Sequence, residues 1–74
     1  MTKLPRNIKP EWLLKAFVKM GFEVYKGRGS HKRLKHPDGR WTQIPMHPGP
    51  VPQGTLKKIL KQAQVSVEEL EKYY

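Results

Sequence analysis

Seventy-four residues with no cysteine leave neither a disulfide framework nor a thiolate metal site, so packed apolar side chains must hold what is expected to be a single domain over residues 1–74. Apolar runs never exceed three residues, which excludes a membrane-spanning helix and a signal-peptide core and makes the cytoplasm the expected location. The net charge is +9 at pH 7, with fourteen Lys/Arg against three acids over residues 1–61 and one Lys against three acids over residues 62–74; so one-sided a field selects polyanionic partners, nucleic acid above all.

The first periodic stretch is "IKPEWLLKAFVKMGF". Pro10 suits a first helical turn, Trp12, Leu13, Ala16, Phe17 and Met20 form one apolar stripe, and Gly21 suits the left-handed stop. The pattern predicts a helix over about 10–20, with Trp12 in the core and Lys15 and Lys19 in water. In "FEVYKGRGSHKRLKHPDGRWTQIP" the β-prone residues, the glycines and the "HPDGR" turn predict three short strands, about 22–26, 31–36 and 40–45. Short connections make their meander antiparallel.

"PMHPGPVPQG" carries four prolines and reads as a loop, because proline suits neither strand nor helix interiors. A second helix begins near Pro52, with Leu56, Ile59, Leu60 and Ala63 on its apolar stripe and Lys57, Lys58 and Lys61 off it. Ser66 followed by Glu69 is a capping-box pattern and predicts a short third helix over about 67–73 that buries Val67 and Leu70. The expected fold is therefore α+β. Its order is α-β-β-β-α, a three-stranded antiparallel meander with two helices on one face and a short extra C-terminal helix.

Alternation along the middle strand places His31, Arg33 and Lys35 on one side and Lys32, Leu34 and His36 on the other. Leu34, the lone apolar member, marks the helix side. His31, Arg33 and Lys35 are then expected on the open face, provided that no bulge at Gly29 shifts the register. RNA carries its own nucleophile in the 2′-hydroxyl, so a histidine that moves that proton, beside Arg28, Lys32 and Arg33 to steady the phosphate, needs no metal to cut a strand. The same residues serve as well for phosphate or base contacts, and the residues alone leave both readings open.

One histidine does not readily both take and give a proton in one turnover, so His47, His36, Tyr25 or water would supply the second transfer. Of these His47 is the candidate, and His36 before Pro37 reads better as a turn residue. "GRGS" is too short and too loosely placed for a nucleotide phosphate loop, although its N–H groups, those of Gly29 and Ser30 among them, suit one backbone phosphate. Trp41 and Tyr25 are candidates for base stacking. His31 and His36 fall on opposite strand faces and the carboxylates gather in the tail, so neither a metal site nor a cofactor is expected.

The order of these motifs is itself distinctive. A helix ending in "MGF", "GSH" leading a basic strand, "HPDGR", "IPMHPG" and "GTLKKILKQAQVSVEEL" together resemble the HicA family of small toxins, also described as YcfA-like, over roughly residues 9–71. The resemblance implies a double-stranded-RNA-binding-domain-like fold, ribosome-independent cleavage of mRNA within a type II toxin–antitoxin system, and neutralisation by an antitoxin of the HicB family. It also implies that His31, which matches the histidine of the family's glycine-serine-histidine motif, is catalytic. Lys32 stands where many relatives have a second histidine, and Gln64 where relatives often have glycine.

The leading expectation is thus a metal-independent endoribonuclease with His31 as general acid or base. Arg28, Gly29, Ser30, Lys32, Arg33, Lys35, Lys57, Lys58 and Lys61 would bind RNA, and His47 would be the second proton-transfer group. A HicB-family antitoxin would cover the basic face. The alternative is a non-catalytic RNA-binding module that uses the same face.

Overall fold

Six elements follow one another in the computed structural model, which describes residues 4–73. They are α1 (Pro10–Lys19), β1 (Glu23–Lys26), β2 (His31–Lys35), β3 (Trp41–Pro45), α2 (Gln53–Ala63) and α3 (Val67–Glu71). The strands form one antiparallel sheet in the order β1-β2-β3. Leu34 pairs with Val24 and Thr42, and Lys32 with Ile44, so these residues share the inner face. Against it α1 contributes Leu13, Ala16 and Phe17, and α2 contributes Leu56, Ile59, Leu60 and Ala63, all buried. The register runs from His31 to Lys35 without a bulge.

Both long helices end in the same way. At the end of α1 the Phe22 N–H donates to the Phe17 carbonyl and the Gly21 N–H to that of Val18, each at 3.0 Å. This is the paired bond pattern of a Schellman stop, with Gly21 at φ +103° supplying the left-handed residue. The stop also sets Phe22 against Phe17, ring centroids 5.0 Å apart and nearly perpendicular. At the end of α2, Val65 N–H donates to Leu60 and Gln64 N–H to Lys61, but here the left-handed residue is Gln64, at φ 56°. A side chain with a Cβ is strained there. Gln64→Gly is expected to raise unfolding stability by about 0.5–1 kcal/mol, read as a higher urea midpoint at unchanged slope.

Two expectations of burial are not met. Val67 in α3 is only half-buried against the core. Trp12 is 52% exposed, because the buried stripe of α1 is centred on Leu13 and Phe17 and Trp12 lies about a quarter turn away. Its ring lies instead near the Lys9 ammonium, 5.5 Å from the centroid. The core takes its remaining residues from outside the stripes: Ile8, Val51 and Val65 are buried in connecting segments, and Val51 N–H donates to the Ile8 carbonyl at 2.8 Å. The third helix closes two residues earlier than the expected 73, on Glu71. Ser66 Oγ accepts from the Glu69 N–H at 3.0 Å, the first bond of the capping box.

The "HPDGR" turn ties the sheet to α2. Asp38 accepts from the backbone N–H of Arg40 at 3.0 Å and from its Nε at 2.7 Å, while Arg40 Nη1 reaches the Ala63 and Gln64 carbonyls at the negative end of α2. The backbone hydrogen bond from Arg40 is the largest cause, and together with the Arg40 side-chain bond and charge and the nearby His36 it outweighs the opposing desolvation and holds the Asp38 carboxyl below its ordinary range. A carboxyl whose folded value is depressed adds stability above its unfolded value, and that stability is lost as pH falls through the folded one. Wild type and Asp38→Asn are therefore expected to differ in melting temperature at neutral pH and to converge in acid, below the ordinary carboxylate range.

Candidate active site

The β1–β2 turn places His31. The His31 N–H donates to the Arg28 carbonyl at 3.0 Å and Gly27 N–H to the His31 carbonyl at 3.1 Å, with Gly29 at φ +59° in the first central position of the turn, a left-handed conformation that glycine takes without strain. Gly27 is needed for a different reason. A Cβ there would stand 2.7 Å from the His31 carbonyl oxygen, closer than backbone atoms tolerate.

His31 Nδ1 lies 3.2 Å from the Arg28 carbonyl. A carbonyl only accepts, so Nδ1 carries the hydrogen and Nε2 is left for a ligand. The ring is half-buried, at the mouth of a cleft of about 430 Å³ whose walls are His31, Gln43 and Pro45 of the sheet and Thr55, Lys58 and Gln62 of α2. That volume falls within the range of small-ligand sites.

A second imidazole stands beside the first. The Met46 N–H donates to the Ser30 carbonyl at 3.0 Å, which extends the β2–β3 pairing by one step and brings the proline-rich loop alongside the turn. His47 then lies with its ring centroid 6.2 Å from that of His31, the planes at 79°, and its Nδ1 3.5 Å from Ser30 Oγ, a long contact by hydrogen-bond standards. The other two candidates for a second proton transfer are occupied. His36 Nε2 donates to the Met20 carbonyl at 3.2 Å, and its Nδ1 faces the Asp38 N–H at 3.1 Å and the Asp38 carboxylate at 3.0 Å. Tyr25 donates its hydroxyl to Glu23 at 3.0 Å; that bond first, then the carboxylate charge and slight desolvation, raise the phenol above its ordinary value.

The cations divide into those near His31 and those elsewhere. Arg33 and Lys35 lie on the open face with His31, paired with Gln43 and Trp41. Lys32 belongs to the opposite, helix-facing row, exposed at its end beside Lys26. Of the three lysines expected on the second helix, Lys58 lines the His31 cleft, whereas Lys57 and Lys61 are exposed and line no part of it, since positions 55, 58, 59 and 62 share one helix face. Arg28, Gly29 and Ser30 are exposed in the turn. Gln43, Thr55 and Gln62 were not singled out from the sequence; the signal for Gln43 was its alternation with buried Thr42 and Ile44, and for Thr55 and Gln62 their spacing from Lys58.

Among the described residues no group of three or more His, Asp or Glu side chains is placed to hold a metal ion, and no helix is long and apolar enough to cross a membrane. A family model described as HicA toxin of bacterial toxin-antitoxin matches residues 12–65. The matched span covers most of the chain and takes in His31, His47 and Lys58. No curated protein matches it.

Proposed function

This chain belongs to the HicA toxin family of bacterial toxin–antitoxin systems, and from that premise we propose that it is an endoribonuclease that cuts mRNA in the cytoplasm without a metal, and that His31 and His47 move the protons. The observation that carries this reading is the pair of imidazoles 6.2 Å apart, near enough to reach one phosphodiester from two directions. Neutral His31 takes the 2′-hydroxyl proton at Nε2 while the 2′-oxygen bonds to phosphorus. The bond from phosphorus to the 5′-oxygen breaks, and protonated His47 gives that oxygen its proton. Atoms and charge balance with a 2′,3′-cyclic phosphate on one product, a 5′-hydroxyl on the other, and the proton now on His31 in place of His47.

Lys58 at the cleft wall stabilises the charge that builds on the phosphoryl oxygens, Arg33 one row along the face of His31 holds the neighbouring phosphate, and the turn N–H groups of Gly29 and Ser30 add neutral donors. Arg28, Lys32, Lys35, Lys57 and Lys61 supply the surrounding field that draws RNA in. An antitoxin of the HicB family with an acidic surface would cover the basic face and exclude substrate. Purified protein with end-labelled RNA in excess EDTA tests the reading: cleavage with cyclic-phosphate ends is expected. Tight binding with no cleavage would instead favour the non-catalytic RNA-binding module.

A further inference from the structure

Three cross-strand rows make up the open face of the sheet. Gly27, His31 and Pro45 form the row at the cleft, Tyr25, Arg33 and Gln43 the next, and Glu23, Lys35 and Trp41 the farthest. Rows on one face are two residues apart, so Arg33 stands about 7 Å and Trp41 about 14 Å along the strand from His31. Trp41 is 43% exposed and borders a shallow recess with Arg33 and Lys35. The one carboxylate of the face, Glu23, is engaged by the Tyr25 hydroxyl at the opposite edge, and the Lys35 ammonium lies 5.6 Å from the Tyr25 ring centroid. Lys35 thus leans toward Tyr25 while still lining, with Arg33, the recess beside the exposed indole, which is cationic for that reason.

We propose that this face is a track for single-stranded RNA in which Trp41 stacks on an unpaired base two nucleotides from the cut, and Arg33 and Lys35 hold the phosphates between. The assignment of the cut to His31 rests on the function proposed above. An indole flanked by cations matches what a single strand offers, a π-face beside a phosphate, and a duplex hides its base faces in its own stack. The spacing agrees: an extended strand advances per nucleotide by roughly twice the 3.4 Å rise of a stacked duplex strand, close to the distance between rows. Charge complementarity favours this occupant over an apolar one, since two of the three recess residues are cations.

The test compares wild type, Trp41→Ala and Trp41→Phe on single-stranded oligonucleotides, a dinucleotide and a duplex. Trp41→Ala is expected to raise KM for the long strand by about 5–150-fold, the range for loss of one stacked base, with kcat nearly unchanged and Trp41→Phe recovering most of the loss. On the dinucleotide, too short to reach residue 41, the variants are expected to match wild type, and the duplex is expected to be a poor substrate for all three. In a Trp12→Phe protein, the fluorescence of Trp41 reports the stack whether or not the RNA is cut. Quenching by a single strand and not by a duplex is expected; quenching without any cleavage would remove the nuclease reading and leave the track standing. Unchanged KM in Trp41→Ala, equal cutting of duplex and single strand, absence of quenching, or weakened antitoxin binding with intact RNA kinetics would each overturn the proposal.

Discussion

Replacing His31 by alanine is expected to slow RNA cleavage by about 10²–10⁴-fold, the usual worth of a positioned proton-transfer group, while RNA affinity stays within a few-fold of wild type. The two effects separate because they have different sources. In the proposed reading affinity comes from the cations, which the substitution leaves in place, and its salt dependence should keep the same slope because the number of phosphate contacts is unchanged. In the proposed mechanism the rate comes from Nε2, which the Arg28 carbonyl leaves free by holding Nδ1.

The side chain also closes the turn through that bond, so a loss of about 0.5–1.5 kcal/mol in stability accompanies the change. A melting curve run beside the single-turnover rate separates this from catalysis. His47→Ala supplies the second reading of the same experiment: if His47 protonates the leaving oxygen, a substrate whose leaving group needs no proton should be cut at nearly the wild-type rate by this variant and still slowly by His31→Ala. Effects of the two substitutions on ordinary RNA should fall well short of additive, as for groups acting in one step. Full-speed cleavage by His31→Ala would end the proposed mechanism.

Phe17→Ala is expected to cost about 3–5 kcal/mol of unfolding free energy. Phe17 has no solvent exposure, lies edge-on to Phe22 and accepts at its carbonyl the bond that ends α1, so a cavity at this position opens where helix stop and core meet. A domain of this length has roughly 4–11 kcal/mol in total, and the variant should be partly unfolded at 37 °C. Trp12→Ala, larger in volume but on the wet side of the same helix, should cost under about 1 kcal/mol. Urea midpoints for the pair decide the matter, and equal midpoints would contradict the packing described for α1.

The near-miss at Trp12 shows where reading a sequence stops. Apolar period locates α1 and puts Leu13, Ala16 and Phe17 inside, but by itself it also includes Trp12, at the edge of the stripe. Which edge of a wide stripe is buried depends on where the partner surface ends. The sheet met by α1 is only three strands wide, and Trp12 lies beyond its cover. Turn chemistry was more informative: glycines at 21, 29 and 39 all take positive φ, and Pro37 with Gly39 shapes the β2–β3 turn as "HPDGR" suggested. The left-handed Gln64 carries no such mark in its own side chain, and only the resemblance, with glycine common at that position, pointed to the bend there.

From the chain alone came the α+β order, the antiparallel meander, the separation of His31 from Leu34 across the sheet, and a basic body joined to an acidic tail. All of these follow from periods of two or 3.6 and from composition, which are local properties. Folding alone decided that His47, sixteen positions from His31, lies beside it, that Lys58 and not Lys57 or Lys61 lines the cleft, and that Trp41 shares a face with Arg33 and Lys35. Those facts depend on strand register and on the rotation of α2 about its axis, and both are set only when the inner faces are buried against each other.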